Sequence, residues 1–148
     1  MLILRNFTES DVLALQRTMH PDMPTEQIKE LIAAWNRKEV NNRYFEMFAI
    51  LKEETIVGTV SLYQHSKEVI SIGPEVFAAF RRKGYAKEAM SLACSIAREN
   101  GYKIVSQQIR CDNEASIALH NSLGFETNGL VYTSAKGSKV SIYLKSLL

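Results

Sequence analysis

Hydrophobic residues recur along this chain with two different periods, which predicts that strands and helices alternate. Between Ile56 and Gln64 the side chains of two faces alternate residue by residue, as they do in a strand. After Pro24 an apolar residue returns every three or four positions, which predicts a helix with one buried face. The members of that face are Ile28, Leu31, Ile32 and Trp35. The pattern therefore predicts a mixed α/β fold.

The predicted elements follow the order β-α-α-β-β-β-α-β-α-β-β. Strands are predicted over residues 2–6, 44–52, 56–64, 69–77, 104–111, 125–133 and 139–144. Helices are predicted to begin near Ser10, Thr25, Tyr85 and Asn113. One helix joins strands 69–77 and 104–111, so these two strands should be parallel neighbours. Gly73-Pro74 in the first of them predicts a bulge or an unpaired side, because proline cannot donate to a ladder.

A short basic turn, Arg81-Arg82-Lys83-Gly84-Tyr85-Ala86, lies between a predicted strand and a predicted helix. The first amides of a helix have no partner within the helix, and the helix dipole adds partial positive charge at that end. Gly84 allows the backbone to approach a ligand closely. The turn therefore predicts an anion-binding site at the N-terminus of the helix.

Composition and charge limit the classes of function. The 148 residues, 46% hydrophobic and 23% charged, predict one globular domain over residues 1–148. A formal net charge of +2 gives no reason to expect binding to nucleic acid or to an anionic membrane. No apolar run approaches the ~20 residues of a membrane span, and the N-terminus lacks the features of a secretion signal. Cys94 and Cys111 lie in unrelated contexts, which favours reduced thiols and a cytoplasmic location.

Two motifs lie in order on the predicted elements. The turn from Arg81 to Ala86 reads Arg-x-x-Gly-x-Ala, and the segment from Asn113 to Phe125 reads Asn-Glu-Ala-Ser-Ile-Ala-Leu-His-Asn-Ser-Leu-Gly-Phe. Together they resemble the GNAT superfamily of acyl-CoA-dependent N-acetyltransferases, whose motifs are Gln/Arg-x-x-Gly-x-Gly/Ala and Asn-x-x-Ala/Ser-x-x-Leu-Tyr-x-x-Leu-Gly-Phe. The chain is most similar to the branch that contains the ribosomal-protein N-terminal acetyltransferases.

The resemblance implies a mostly antiparallel seven-stranded sheet with helices on both faces and a central parallel pair of strands that splay apart. It implies acetyl-CoA as co-substrate and direct transfer of the acetyl group to a primary amine. The acceptor, a small molecule or a peptide N-terminus, is not specified by the sequence. Monomer and homodimer both stay open, and no metal site is expected.

The resemblance also assigns the CoA site residue by residue. The backbone of Val76 and Phe77 would pair with the pantetheine arm like an added strand, and a free N–H near Val76 would donate to the oxyanion. Asn113 would contact the arm as well as cap its helix. The turn would hold the pyrophosphate through its backbone and its basic side chains. The turn residues so assigned are Arg81, Arg82, Lys83, Gly84, Tyr85 and Ala86.

The sequence departs from the family motifs at the residues that move protons. His120 occupies the position of the tyrosine that commonly protonates the leaving thiolate, and an imidazole can carry that proton near neutral pH. The alternative is that His120 only lines the CoA channel. Glu75 is the best carboxylate for the general base. The alternative is that Glu75 is only a solvent-facing strand residue without a part in catalysis. Gln108 stands where some members carry a glutamate, and Glu46 and Glu68 are weaker candidates.

Two other classes of function compete with catalysis. The departures at the tyrosine and glutamate positions would suit a binding module that keeps the CoA site without transferring acetyl groups. A small nucleic-acid binder could use the basic side chains around the turn, although the modest net charge disfavours it. Those side chains are Arg81, Arg82, Lys83 and Lys87.

Overall fold

The alternating and helical patterns of the sequence form the predicted elements, with small shifts at their ends. The structure, a computed structural model, describes residues 1–148. Its helices are α1 (Val12–Thr18), α2 (Thr25–Asn36), α3 (Tyr85–Glu99) and α4 (Glu114–Ser122). Its strands are β1 (Leu2–Arg5), β2 (Glu39–Val40), β3 (Arg43–Lys52), β4 (Thr55–Gln64), β5 (Val69–Val76), β6 (Ile104–Arg110), β7 (Glu126–Thr127), β8 (Tyr132–Thr133) and β9 (Lys139–Ser146).

The strands form one sheet in the order β1-β3-β4-β5-β6-β9-β7, with β2 paired to β3 and β8 paired to β9. Every pair is antiparallel except β5 and β6, which confirms the mostly antiparallel sheet with a central parallel pair. Nine strands replace the predicted seven. The predicted strand 125–133 is interrupted, because side chains in the Thr127–Leu130 turn accept the amides of Gly129 and Leu130. The short β2 was not predicted.

Helices cover both faces of the sheet, as predicted. On one face α3 packs its small residues Ala89, Ala93 and Ala97, none of them accessible to solvent, against the larger hydrophobic cluster. Side chains of α4 pack against the same cluster. On the other face Leu15 of α1 and Ile28 of α2 pack on β3. No helix combines the length and the hydrophobicity that a membrane span would need.

The parallel pair at the centre of the sheet separates after two rungs. β5 and β6 pair only at Val69–Ile104 and Ile70–Val105. Further along, β5 stays paired to β4 through Pro74 without a shift of register, so the predicted bulge does not form there. The predicted unpaired side is present and faces β6. Separation of these two strands opens the middle of the sheet.

Candidate active site

A cleft of about 930 Å³ occupies the space between β5 and β6. It extends to the N-termini of α3 and α4, so elements far apart in the sequence form its walls. Its lining includes Ser61 and Ser71 as well as Ser116 and His120. Ser61 lies opposite Met47 of β3, which packs on the α1–α2 side of the sheet, whereas α4 lies on the α3 side. The cleft therefore reaches both faces of the sheet.

The backbone of β5 presents alternate residues to this cleft. The Phe77 N–H donates to the Val57 carbonyl at 2.9 Å, so Phe77 bonds towards β4. The Ile72 N–H and carbonyl bond to Gln107 of β6 instead. Backbone groups point alternately to the two sides of a strand. The cleft therefore faces the backbone groups of Ile72, Pro74 and Val76. The Ile72 N–H already donates to Gln107, and proline at position 74 has no N–H. The N–H of Val76 is therefore the donor that this edge of β5 offers to a ligand.

Arg81 fixes the end of β5 rather than pointing freely at an anion. Its Nε donates to the Val76 carbonyl at 2.9 Å. This contact ties the basic turn to the strand and occupies the acceptor beside the free Val76 N–H. The sequence predicted that Arg81 belongs to the anion-binding turn but did not reveal this contact, which forms only in the folded turn.

The turn before α3 presents six consecutive amides without a hydrogen-bond partner, from Arg82 to Lys87. The first amide bond of the helix runs from the Glu88 N–H to the Gly84 carbonyl at 3.2 Å. Arg82 and Gly84 have positive φ values of 65° and 80°, and alternating left-handed residues turn successive N–H groups to one side. With the helix dipole behind them, these amides fit an anion such as a pyrophosphate. Arg82, Gly84, Tyr85 and Ala86 line the cleft, whereas Lys83 does not.

Asn113 caps α4, which is one of the two roles predicted for it. Its side-chain oxygen accepts the Ser116 N–H at 3.1 Å, and the residue also lines the cleft. The cap satisfies one of the free amides of the helix and leaves the side-chain amide nitrogen available to a ligand.

His120 is buried, with 4% of its surface exposed, and both ring nitrogens have partners. Nδ1 donates to the Ser116 carbonyl at 2.7 Å. The side-chain nitrogen of Gln107 lies 3.2 Å from Nε2 and donates to it, which requires that Nε2 carry no proton. Burial of the ring lowers the pKa of His120 below its ordinary value of 6.5, and the bond to Ser116 opposes this only in part.

These contacts do not support the predicted general-acid role of His120. The ring is neutral, and its single proton is directed at a backbone carbonyl of its own helix. Gln107, which enforces this state, was not singled out in the sequence. A signal was present in the alternation of β6, whose buried face consists of Val105, Gln107 and Ile109. Gln107 is the one polar residue on that face.

Besides Lys83, two predicted residues lie outside the cleft lining. Phe77 is buried, and its N–H and carbonyl are both bonded within the protein. Glu75 is exposed and pairs directly with Thr59, which pairs with Ala49 on the α1–α2 side of the sheet. Residues directly opposite in a sheet share a face, so the Glu75 side chain lies on the face opposite α3.

The buried, neutral His120 predicts a loss of stability in mild acid. In the unfolded chain the imidazole takes up a proton near pH 6.5, whereas the folded protein resists protonation to lower pH. The neutral His120 ring therefore makes its full contribution to the free energy of unfolding above pH 6.5, and this contribution declines as the pH falls below 6.5. The ring packs against Gln107, Ser116, Phe125 and Tyr143, none of which is charged.

Urea unfolding measured between about pH 7.5 and 5.5, above the range in which carboxyls titrate, should show this decline. His120→Gln, which cannot titrate, should show a shallower decline. Equal slopes for the two proteins would contradict the assignment of a neutral buried ring.

Comparison with known proteins places this geometry in a family. Residues 1–126 match the model of the acetyltransferase (GNAT) domain. The SPbeta prophage-derived uncharacterized N-acetyltransferase YokL of Bacillus subtilis is 23% identical over 131 residues, which cover 86% of this chain and 72% of YokL.

The chain shares its fold with solved acetyltransferase structures. A Salmonella typhimurium acetyltransferase that modifies the N-terminal serine of ribosomal protein L7/L12 superposes with a TM-score of 0.78 at 18% identity, covering 98% of this chain and 94% of its own. The putative acetyltransferase yncA of the same species, solved with acetyl-CoA, gives 0.74 at 16% identity, with 100% and 95% covered. The match over residues 1–126 shows that the chain belongs to the GNAT acetyltransferase family and is an acetyl-CoA-dependent acyltransferase.

Proposed function

We propose that this protein transfers the acetyl group of acetyl-CoA to a primary amine by direct attack within the cleft between β5 and β6. The observation that carries the proposal is that one cleft borders both the turn with the free amides and the inward N–H of Val76. The first suits the pyrophosphate of CoA, and the second suits a carbonyl oxygen that gains negative charge.

The open space beside the turn supports CoA binding at this site. A Cβ added to Gly84 would meet no protein atom within 4 Å, so the space in front of the amides is open to a ligand. In this proposal the amides from Arg82 to Lys87 bind the pyrophosphate, Tyr85 and Asn113 line the path of the arm, and Val76 lies beyond them on β5. Bound acetyl-CoA supplies an activated thioester. Phe77 has no free backbone group with which to pair with the arm.

The chain's own groups would act on the reaction in two ways. The Val76 N–H donates to the carbonyl oxygen as charge develops on it. Glu75 lies on the α1–α2 side of the sheet, which the cleft also reaches, and from there it could accept the amine proton through water. Because neutral His120 has no proton directed into the cleft, the thiolate leaves with a proton from solvent. A thiolate, with an ordinary pKa of about 8.5, is an adequate leaving group.

A peptide N-terminus is the first acceptor to test. The Salmonella neighbour with the same fold acts on the N-terminal serine of a ribosomal protein, and the cleft on the α1–α2 side presents the neutral hydroxyls of Ser61 and Ser71. An amino acid, a polyamine or another small amine is the alternative. A cytoplasmic location fits the two free cysteines and stays a prediction, as does the choice between monomer and homodimer.

A transfer screen tests the proposed function. Acetyl-CoA is incubated with the protein and with panels of peptide N-termini, amino acids, polyamines and aminoglycosides, and release of the CoA thiol is followed. We expect release that depends on one class of amine, with the acetylated product confirmed by mass. CoA binding without release in any panel would favour the binding module, and salt-sensitive binding to RNA or DNA without CoA binding would favour the nucleic-acid binder.

A further inference from the structure

Two buried polar side chains line the cleft without a part in the chemistry proposed above. Gln107 of β6 is 7% exposed and His120 of α4 is 4% exposed. Burial of such groups is unfavourable unless their hydrogen bonds are made, and here no buried side-chain nitrogen or oxygen lacks a partner. The bonds of these two residues connect β5, β6 and α4, the three elements around the cleft.

Gln107 takes the place of a backbone rung between the separating strands. The paired residues of β5 and β6 differ by 35 in number, as in Val69–Ile104, and Gln107 bonds to Ile72 at that same separation of 35. Its Oε1 accepts the Ile72 N–H at 2.9 Å, and its Nε2 donates to the Ile72 carbonyl at 2.6 Å. The carboxamide therefore holds the strands in register but farther apart than the ~4.8 Å of a backbone ladder.

Pro74 prevents the gap from closing beyond this point. The next position of β5 that faces β6 is Pro74, which has no N–H to continue a ladder. The opening thus has one side-chain rung at Ile72 and no rung at Pro74, and the free N–H of Val76 follows two residues later.

His120 holds the carboxamide in place. The second N–H of the Gln107 side chain donates to Nε2 of His120, and Nδ1 of the ring donates to the Ser116 carbonyl. The ring also packs against Phe125 at 4.8 Å between centroids. The two bonds to Ile72 fix which end of the carboxamide is nitrogen, since the opposite orientation would place two donors together. His120 must therefore present an unprotonated acceptor.

We propose that Gln107 and His120 are positioning residues that set the separation of β5 and β6, and that His120 supplies an acceptor nitrogen to Gln107 and no proton to the leaving thiolate. A fixed separation aligns the space for the thioester with the Val76 N–H. The proposal rests on the proposed function only for its effect on turnover.

Paired substitutions at His120 separate positioning from acid catalysis. His120→Gln keeps an acceptor oxygen near the site of Nε2 but cannot deliver a proton, and His120→Phe keeps the ring but offers neither. Positioning predicts that kcat for the acceptor found in the screen stays within about threefold in His120→Gln. Positioning also predicts that kcat falls by about 100-fold in His120→Phe and in Gln107→Leu, as expected for a misplaced reacting group. Gln27→Leu, at an exposed position on α2 away from the cleft, is the control and should match the parent protein.

Two further measurements do not depend on turnover. Nitrogen NMR of the parent protein should show His120 with its proton on Nδ1 and a bare Nε2 at pH 7. Calorimetry should show that Gln107→Leu weakens binding of acetyl-CoA by at least about tenfold while binding of the nucleotide head group of CoA, which lacks the arm, is unchanged.

The measurements distinguish failure of the positioning proposal from failure of the proposed function. Equal losses of kcat in His120→Gln and His120→Phe, or a proton on Nε2, would overturn the proposal in favour of the acid role. If the parent protein acetylates no amine, the proposed function fails while NMR and calorimetry still decide the positioning roles. Unchanged acetyl-CoA binding in a folded Gln107→Leu protein would then overturn them.

Discussion

Replacement of Val76 by proline should lower the turnover number of acetyl transfer by about 100-fold, the usual effect of removing one oxyanion donor. Proline removes the N–H that faces the cleft and leaves the pairing of β5 with β4 intact, because that pairing uses the neighbouring residues, as the bond from Phe77 to Val57 shows. Pro74 already occupies an equivalent position in the same strand.

Val76→Ala is the matched control, since it shortens the buried side chain and keeps the N–H. Steady-state kinetics with the acceptor from the screen compares the two, and circular dichroism confirms that both fold. Turnover in Val76→Pro equal to that in Val76→Ala would exclude Val76 as a catalytic donor. A rise in the KM for acetyl-CoA with unchanged kcat would mean that the N–H binds the arm and not the developing charge.

Replacement of Gly84 by valine should weaken CoA binding by at least about tenfold, equivalent to the loss of one hydrogen bond to a charged group. Gly84 is the N-cap of α3 and has φ 80° and ψ 10°, a left-handed conformation that disfavours a β-branched side chain by roughly 1–2 kcal/mol. Relief of that strain would rotate the peptides on either side and turn the free amides away from the pyrophosphate.

Gly101 provides the control for backbone strain. It follows α3 at its other end with φ 93°, and a Cβ there would also meet no atom within 4 Å. Gly101→Val should therefore lower the free energy of unfolding by an amount similar to Gly84→Val without affecting CoA affinity. Titration calorimetry with CoA and urea unfolding measure the two quantities. An equal loss of CoA affinity in both variants would show that the turn at Gly84 is not the CoA site.

Local patterns were sufficient for most of the fold. Alternation defined β4 because its inward side chains must reach the core, and the helical stripe of α2 gave a face that packs on β3. Tertiary pairing changed the details. The segment 128–131 leaves the sheet because side chains satisfy its amides locally, and β2 forms only because β3 offers it an edge.

The candidate site likewise has features that the sequence predicted and features that depend on tertiary contacts. The proposed anion site could be predicted from the turn at Gly84, since a helix N-terminus and a glycine act through local backbone geometry. The protonation state of His120 was not readable, because it depends on Gln107 on another strand and on the Ser116 carbonyl. The Glu75 side chain likewise lies on the face that its pairing with Thr59 assigns to it.

The sequence by itself determined the family, the order of elements and the basic turn, since each of these is written in neighbouring residues or in short motifs. Only the tertiary structure decided which groups meet in the cleft. Ile72 and Gln107 are 35 residues apart, and Arg81 meets Val76 only after the turn has folded back on its strand. Hydrogen bonds act over about 3 Å, so the chemistry of this site depends on contacts that separation along the chain conceals.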